Sequence, residues 1–321
     1  MHSDADFIDA AAALAGRARP LSRPNPGVGA IVVADGRVIA RGWTQPGGRP
    51  HAEAVALEAA GDRARGATVY ITLEPCAHRS ARGPSCTSLV LGSGIARAVV
   101  GCEDPDPRTA GAGIAALRAG GIVVDLLPRA AVSASLAGYH MRAHGGRPHV
   151  TLKLATSLDG CIALSDGTSK WITGPEARAH AHLERARADA ILVGGGTLRA
   201  DAPKLDVRLT GLEHRSPQRF VLTRALAPEG WTAVTDLTAP AAFEDAQYLL
   251  VEGGAGAAAA FLRADVVDRL LLYRAPIVIG GGRPSVGDIG LTTLESAHGR
   301  WRVTDTRRLG SDRLEVYERT R

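Results

Sequence analysis

A histidine, a glutamate and two cysteines in the first third of the chain have types and a spacing suited to zinc chemistry. His51 and Glu53 are two residues apart, and Cys76 and Cys86 follow after a stretch that is typical of a strand. Imidazole nitrogen and thiolate sulfur are ligands that zinc favours, and catalytic sites use three protein ligands with water in the fourth position. We therefore expect His51, Cys76 and Cys86 to hold a zinc ion.

Glu53 is close enough to His51 to reach the metal-bound water rather than the metal. Zinc lowers the pKa of bound water, and a neighbouring carboxylate can carry the released proton to a leaving nitrogen. A His-x-Glu segment followed by Pro-Cys is the known pattern of zinc deaminases that act on nucleobases. The pattern predicts hydrolytic deamination with Glu53 as the catalytic residue.

The other histidine and cysteines near this pattern have simpler interpretations. His78 is a competing ligand, but it lies only two residues from Cys76, so we prefer Cys86. Cys102 and Cys161 are expected to be small core residues, because an isolated cysteine in an alanine-rich chain usually packs as one.

Length and composition predict two globular domains. The chain has 321 residues, of which 45% are apolar, and this is enough for two packed cores. Four cysteines do not suggest a disulfide framework, and the sequence shows neither a signal segment nor an apolar run of about 18 residues. We therefore expect a cytoplasmic location and no membrane partner.

The charge balance fits a small anionic substrate as well as it fits nucleic acid. The formal net charge is +5, and most of the positive charge comes from arginines spread along the chain. Aromatic residues make up only 4%, which leaves few stacking platforms for a single strand. We therefore expect no nucleic-acid partner.

The first half has the alternation of helices and strands that is typical of an α/β fold. The expected elements are a helix at 4–18, a hairpin of 28–33 and 37–42, a helix from 51 to about 60, strands at 67–72, 96–100 and 122–126, and a helix at 111–119. Pro75 fits the first turn of a further helix, which would place Cys76 near a helix N-terminus. The segment 145–148 predicts a boundary between domains 1–146 and 147–321.

In the second half, strands run into glycine clusters. Strands are expected at 149–155, 190–193, 219–222, 248–251 and 270–273, and helices at 175–187 and after Gly256. Gly253, Gly254 and Gly256 would let backbone amides approach a phosphate, and 194–196 are similar. These glycines do not match the dinucleotide fingerprint, and close packing of a helix on a sheet explains them equally well.

Several longer motifs, in order, resemble the bifunctional deaminase/reductase family of riboflavin biosynthesis, RibD. In the first half the similar segments are 24–29, 51–53, 73–76 and 104–107. In the second half they are 152–155, 157–160, 171–173, 251–254, 275–276 and 280–281. The resemblance covers nearly the whole chain.

This resemblance implies a cytidine-deaminase-like domain followed by a dihydrofolate-reductase-like domain. The first would hydrolyse the 2-amino group of 2,5-diamino-6-ribosylamino-4(3H)-pyrimidinone 5′-phosphate. The second would use NADPH to reduce the ribose of the deaminated product to ribitol. The implied cofactors are zinc and NADPH, the partner is a small phosphorylated pyrimidine, and we expect a homo-oligomer.

The family pattern also implies residue roles. The positions on the substrate side are Asn25, Lys153, Ser169, Arg185, Leu205, Arg208 and Glu252. The positions on the cofactor side are Ala155, Trp171, Thr197, Asp201, Arg224, Gly254, Ala255 and Gly256. Arg82 lies between the two cysteine ligands, so we expect it to reach the substrate phosphate, which suits the planar guanidinium group.

The chain departs from the family pattern at three places. Nine residues separate Cys76 from Cys86 where the family usually has eight, and a loop bulge within 77–81 would absorb the addition. Ala202 and Thr223 stand where the family usually has aspartate, in the half expected to bind NADPH. The last two departures leave open a deaminase with a degenerate reductase half. A second alternative is a nucleic-acid-editing zinc deaminase, but that function would leave residues 147–321 unexplained.

Overall fold

The chain divides into two units, Met1–Gly146 and Arg147–Arg321. The computed structural model describes residues 2–78, 82–237, 240–243 and 245–321. Among these residues, no helix has both the length and the apolar character needed to cross a membrane.

The first unit is built on a five-stranded sheet. Its strands are β1 (Gly29–Ala34), β2 (Arg37–Trp43), β3 (Thr68–Ile71), β4 (Arg97–Val100) and β5 (Val123–Leu126), in the order β2-β1-β3-β4-β5. Its helices are α1 (Asp4–Ala15), α2 (Ala52–Ala60), α3 (Cys86–Gly92), α4 (Ala112–Ala119) and α5 (Ala130–Gly145). β1 is antiparallel to both of its neighbours, whereas β3, β4 and β5 are parallel.

Local sequence accounts for the first elements of this unit. Ser3 and Asp6 form a capping box at the start of α1, in which each side chain accepts the backbone N–H of the other. Asp35 and Gly36 have φ angles of 49° and 70°, as the tight turn of a two-residue hairpin requires. The predicted first helix and the hairpin are confirmed.

Two glycines let helices pack closely on opposite faces of the sheet. A Cβ atom at Gly29 would lie 1.9 Å from the carbonyl oxygen of Ala11 in α1, and one at Gly42 would lie 2.2 Å from that of Ala52 in α2. The two positions face opposite ways because side chains alternate along paired strands. The contact at Gly42 fixes the first turn of α2, which carries Glu53.

The second unit is built on an eight-stranded sheet with a separate two-stranded ladder. Its strands are β6 (His149–Thr156), β7 (Cys161–Ala163), β8 (Ala190–Gly194), β9 (Gln218–Leu222), β10 (Thr232–Val234), β11 (Tyr248–Glu252), β12 (Arg269–Arg274), β13 (Arg283–Pro284), β14 (Trp301–Leu309) and β15 (Asp312–Arg319). Its helices are α6 (Pro175–Arg185), α7 (Gly195–Asp201) and α8 (Ala255–Arg263). The large sheet has the order β10-β9-β8-β11-β6-β12-β15-β14, and β7 pairs with β13.

The parallel strands of this sheet bring their carboxyl ends to one edge. All pairs from β10 to β12 are parallel, and β15 and β14 complete the sheet as an antiparallel hairpin. β8 runs directly into the glycines that begin α7, and β11 runs into those that precede α8. Ligands of open parallel sheets bind beyond the carboxyl ends of the strands, so this edge is where a site is expected.

Apolar clusters cover both faces of the large sheet. Phe261 of α8 is fully buried with Leu152 of β6 on one face. Ala177 and Ala181 of α6 pack with Tyr273 of β12 in a different cluster. The sheet therefore holds α6 and α8 at fixed positions around the carboxyl ends of the strands.

The helix predicted at Pro75 is wrong. Residues 73–77 are irregular, and the cysteine that begins a helix is Cys86, not Cys76. Tertiary hydrogen bonds override the local preference of proline here, because Cys102 accepts the N–H of Glu74 and the carbonyl of Cys76 accepts the N–H of Thr87. Sequence reasoning also missed α5 and the hairpin of β14 and β15.

Asp268 ties the start of β6 to the last residue of the chain. Its buried carboxylate accepts two hydrogen bonds from Arg147, at 2.7 and 2.9 Å, and one from the backbone of Val150 at 2.8 Å. Arg321 forms a further ion pair with it. Burial alone would raise the pKa of Asp268, but the hydrogen bonds from Arg147 and the neighbouring charges lower it.

We expect Asp268→Asn to lower the free energy of unfolding by about 3 kcal/mol, because it leaves the Arg147 guanidinium without its carboxylate. Urea unfolding at neutral pH measures this. The contribution should be present above the ordinary aspartate pKa of about 3.9 and be lost as the pH falls through the lower pKa of the folded state. Asp265→Asn is the matched control, since Asp265 pairs with Arg319 while half exposed. Equal effects of the two variants would contradict the prediction.

Candidate active sites

His51, Cys76 and Cys86 come together in the first unit. Nδ1 of His51 lies 3.7 Å from Sγ of Cys76 and 3.3 Å from Sγ of Cys86. One ligand atom from each residue lies within 4.8 Å of the others, and in the part of the chain that the structure describes this is the only such metal-binding group. One imidazole nitrogen and two thiol sulfurs fit zinc.

Each ligand is held by a different local structure. His51 is the N-cap residue of α2, and Cys86 is the first residue of α3, which is capped by Ser85. Cys76 lies in the loop after β3, and its Sγ accepts the backbone N–H of Cys86 at 3.3 Å. Hydrogen bonds from Cys86 and from His51 lower the pKa of the Cys76 thiol, which favours the thiolate that binds metal.

The loop that carries Cys76 is anchored by Glu74. The carboxylate of Glu74 is buried and accepts three backbone N–H groups, from Asp104 at 3.1 Å, Gly111 at 2.9 Å and Ile114 at 3.0 Å. Hydrogen bonds to an ionised acceptor are stronger than neutral ones. Sequence reasoning identified Glu74 only as part of a motif, although an acidic residue between an apolar strand and Pro-Cys is a visible sign of such an anchor.

Glu53 lies beside the ligands in the first turn of α2. Glu53 is 3% exposed, and its carboxyl group lies close to the thiol of Cys86. Burial raises the pKa of Glu53 to about 7. A carboxyl group with a pKa near the working pH can both accept and release a proton, which is what a proton carrier requires.

Asn25 and Arg82 both donate hydrogen bonds to the segment that precedes His51. Nδ2 of Asn25 donates to the carbonyl of Gly48 at 2.9 Å and lies 3.2 Å from Nε2 of His51. Arg82 is exposed, and its Nη1 donates to the carbonyl of Gly47 at 3.2 Å. The bulge expected within 77–81 falls largely at residues 79–81, which lie outside the described residues.

The second unit contains a cleft of about 990 Å³ at the carboxyl edge of the large sheet. This volume is at the upper end of the range for small-molecule sites. The cleft brings together most of the residues predicted for reduction: Lys153, Ala155, Ser169, Trp171, Arg185, Thr197, Asp201, Leu205, Arg208, Glu252, Gly254, Ala255 and Gly256. Arg224 is exposed just after β9 and is not among the described residues that line the cleft.

A buried carboxylate organises the charges of this cleft. Glu252 accepts two hydrogen bonds from Arg185, at 2.7 and 2.9 Å, and lies 3.9 Å from Nζ of Lys153. Burial opposes ionisation of Glu252, but Lys153 and Arg185 outweigh it and lower the pKa to about 2. Glu252 is therefore ionised at neutral pH, and it holds both cations in the cleft.

The glycines after β11 form a cradle open to the cleft. A Cβ atom at Gly253 would lie 3.2 Å from that of Ala257, so this glycine allows close packing of α8 on the sheet. Gly254 is the N-cap of α8, and its N–H donates to Oγ1 of Thr197 at 3.1 Å. A Cβ atom at Gly256 would meet nothing within 4 Å. The close packing of a helix on the sheet therefore explains Gly253, and the binding of a cofactor phosphate by this backbone stays a prediction.

Three positions of interest lie at the rim of the cleft or close to it. Trp171 is 64% exposed, and the guanidinium of Arg178 stacks 4.8 Å from its ring centroid. Ala202 ends α7 with a φ of 40°. The hydroxyl of Thr223 accepts the N–H of Ala225 at 3.1 Å.

Sequence reasoning overlooked His182, which lines the cleft one helical turn before Arg185.

Family models match both halves of the chain. Residues 1–102 match the cytidine and deoxycytidylate deaminase zinc-binding region, and residues 148–314 match the RibD C-terminal domain. The chain is similar to the riboflavin biosynthesis protein RibD of Aquifex aeolicus, with 34% identity over 98% of each chain. It is also similar to RibD of Mycobacterium tuberculosis, with 38% identity over 91% of this chain and 90% of the relative.

The fold of one solved structure matches the fold of this chain over nearly the whole length. The crystal structure of a diaminohydroxyphosphoribosylaminopyrimidine deaminase/5-amino-6-(5-phosphoribosylamino)uracil reductase from Thermotoga maritima has a TM-score of 0.87, with 31% identity over 99% of both chains. The predicted fold class, a cytidine-deaminase-like domain followed by a dihydrofolate-reductase-like domain, is confirmed.

We expect Cys86→Ser to lose zinc, because a serine hydroxyl is a poor zinc ligand and two remaining ligands do not hold the ion. The zinc content, measured after dialysis against a weak chelator, should fall from roughly one zinc per chain to near zero. Cys102→Ser is the matched control and should keep its metal, since Cys102 bonds the carbonyl of Thr72 outside the ligand group. Retention of the wild-type zinc content by Cys86→Ser would show that another residue completes the site.

Proposed function

The chain belongs to the RibD family of riboflavin biosynthesis proteins, and on this premise we propose how its two units divide the work. It is a bifunctional enzyme, a zinc-dependent deaminase and an NADPH-dependent reductase. We assign deamination to residues 1–146 and reduction to residues 147–321. The observation that carries the assignment is the buried Glu53 carboxyl beside three zinc-ligand side chains, in a chain whose other unit has a separate charged cleft.

The proposed substrates are phosphorylated pyrimidines. The first unit would remove the 2-amino group of 2,5-diamino-6-ribosylamino-4(3H)-pyrimidinone 5′-phosphate as ammonia. The second would reduce the deaminated product, 5-amino-6-(5-phosphoribosylamino)uracil, at its ribose. The family match and the arginines that border both sites support these substrates, because each carries a phosphate dianion. A homo-oligomeric state, a cytoplasmic location and the absence of a nucleic-acid partner stay predictions.

In the first unit, His51, Cys76 and Cys86 would hold zinc, and Glu53 would move the proton. When bound, zinc supplies a Lewis acid that lowers the pKa of the attacking water. The Glu53 carboxylate would take a proton from the attacking water and deliver it to the amino nitrogen, so that the water oxygen forms the new bond to the ring carbon and the amino group leaves as ammonia. Burial of Glu53 keeps bulk water away from the proton, and Asn25, whose Nδ2 lies 3.2 Å from Nε2 of His51, would contact the substrate beside the metal ligands.

In the second unit, one side of the cleft would hold the substrate and the other NADPH, which supplies the hydride. Lys153, Glu252 and Arg185 form a fixed charged group, and Arg185 also donates to the carbonyl of Asp206 at 3.0 Å. N–H groups of Arg185 are still available for a ligand, since guanidinium carries more donors than these bonds use. Ser169, Leu205 and Arg208 would complete the substrate side.

The cleft residues that were predicted for the cofactor side would hold NADPH. These are Ala155, Trp171, Thr197, Asp201, Gly254, Ala255 and Gly256. The exposed ring of Trp171 offers a flat apolar surface, and the open glycine backbone offers N–H groups to a phosphate. A role for Arg224 at the 2′-phosphate of NADPH stays a prediction.

Incubation with the diaminopyrimidinone phosphate, without and then with NADPH, tests the function through the masses of the products. We expect the deaminated compound first and the ribitol compound only with NADPH. Glu53→Gln should keep zinc and lose at least about a hundredfold in deamination, because the proton carrier is gone. It should still reduce deaminated substrate that is supplied directly. Near-normal deamination by a zinc-loaded Glu53→Gln would contradict the role of Glu53.

Arg82→Ala and Arg208→Ala should affect different reactions. Each removes a charge-assisted bond to phosphate, at a cost on the order of 1.5–3 kcal/mol, or roughly tenfold to a hundredfold in kcat/KM. We expect Arg82→Ala to impair deamination alone and Arg208→Ala to impair reduction alone, so each variant is the control for the other. Steady-state kinetics of both reactions measures this, and changes below about threefold in both variants would mean that these arginines are solvated surface residues.

A further inference from the structure

The guanidinium of Arg199 lies at the edge of the cleft, where β8 and β9 end. A Cβ atom at Gly195 would lie 3.3 Å from Nη1 of Arg199 and 3.4 Å from Oγ1 of Thr223. The guanidinium and the hydroxyl therefore flank the same point in space, beside Gly194 and Gly196, which line the cleft. Glycine at position 195 leaves room for both groups there.

Both groups have hydrogen-bonding capacity left for a ligand. Arg199 is exposed, and within the described residues its guanidinium forms no hydrogen bond or ion pair with the protein. Asp201 of the same helix is two positions away, and side chains at that spacing do not face each other. The hydroxyl of Thr223 accepts the N–H of Ala225 at 3.1 Å, which leaves its own proton available to donate.

The order of the strands decides which half of the cofactor would lie here. The nicotinamide of NADPH must reach the substrate, which the proposed function places near Lys153 on β6 and Glu252 at the end of β11. The glycine cradle after β11 would take the pyrophosphate, and its Gly254 is bonded to Thr197, which follows β8. Because these strands have the order β9-β8-β11-β6, the adenosine half must extend from β11 past β8 towards the end of β9.

The adenosine half carries the one group that distinguishes NADPH from NADH, the phosphate on the 2′-hydroxyl of the ribose. A phosphate monoester carries about two negative charges at neutral pH, and a planar guanidinium can pair with two of its oxygens. In other dinucleotide-binding folds a carboxylate accepts the free 2′-hydroxyl of NADH, whereas an arginine accommodates the 2′-phosphate. The end of β9 offers a guanidinium and a hydroxyl, which suits the phosphate.

We propose that Arg199, assisted by the hydroxyl of Thr223, binds the 2′-phosphate of NADPH and makes the reductase prefer NADPH to NADH. The inference rests on the proposed function of the second unit and adds a specificity-determining residue to it. Binding of the pyrimidine substrate should not depend on Arg199, because β8 and β11 lie between β9 and the strand that carries Lys153. Arg224 follows Thr223 and is exposed, so its predicted role at the same phosphate is tested alongside.

Direct binding measurements on the whole protein test this without relying on turnover. In isothermal titration calorimetry, Arg199→Ala should raise the Kd for NADPH and for 2′,5′-ADP roughly fivefold to fiftyfold, because a charge-assisted bond at an exposed site is lost. The Kd for NADH, which lacks the phosphate, should stay within about twofold. Arg199→Lys should fall between the wild type and Arg199→Ala, since it keeps the charge and loses the planar fork. Thr223→Val should raise the Kd for NADPH and 2′,5′-ADP by about threefold.

Arg219→Ala is the matched control. Arg219 lies on β9 like the segment that leads to Thr223, but its guanidinium stacks 5.4 Å from the ring centroid of Trp231. Its affinities for NADPH and NADH should equal those of the wild type. Thermal unfolding of Arg199→Ala without ligand should also match the wild type, because Arg199 is exposed.

The outcomes distinguish this inference from the proposed function. If the wild type binds neither NADPH nor NADH, the proposed function of the second unit fails, and the role of Arg199 fails with it. If the wild type binds both equally well, or if Arg199→Ala weakens both equally or neither, the cleft still holds a dinucleotide but the role of Arg199 is overturned. A selective loss of NADPH affinity in Arg224→Ala, with none in Arg199→Ala, would assign the phosphate to Arg224 instead.

Discussion

Three backbone N–H groups converge on the buried carboxylate of Glu74, and the metal site of the first unit depends on that contact. The loop after β3 has no regular secondary structure, so nothing local fixes the position of Cys76. Glu74 instead ties the loop to Asp104 and to the start of α4. The backbone N–H of Cys86 then donates to Sγ of Cys76. These bonds hold three side chains from separate segments of the chain in one fixed arrangement.

The second unit uses a buried carboxylate in a different way. Glu252 has cationic side chains as partners, Arg185 and Lys153, rather than backbone groups. Its charge is therefore shared with groups that face the cleft, and it organises the binding surface as well as the fold. Glu74 anchors the loop that carries Cys76, whereas Glu252 lines the cleft itself. In both cases the partners of the buried carboxyl group compensate for its lost hydration.

Both sites lie where regular elements begin or end. His51 and Cys86 are at helix starts, and Glu252 is the last residue of β11. Such positions combine the rigidity of a packed helix or sheet with the open backbone that a ligand needs. The close packing at Gly42 and at Gly253 serves this arrangement, because it sets each helix start against the sheet with little space between them.

The sequence by itself determined the α/β class, the hairpin at Asp35 and Gly36, most of the strands, and the three residues that the structure brings together as a metal-binding group, because these depend on periodicity, turn chemistry and ligand type. It did not determine the path of the loop at Pro75, since hydrogen bonds from distant residues override the local preference of proline. The sequence pattern did not predict the hairpin of β14 and β15, because β14 is mostly exposed and rich in charged residues. Only the tertiary structure placed His182 beside Arg208, because a contact between residues 26 positions apart is not visible in any local pattern.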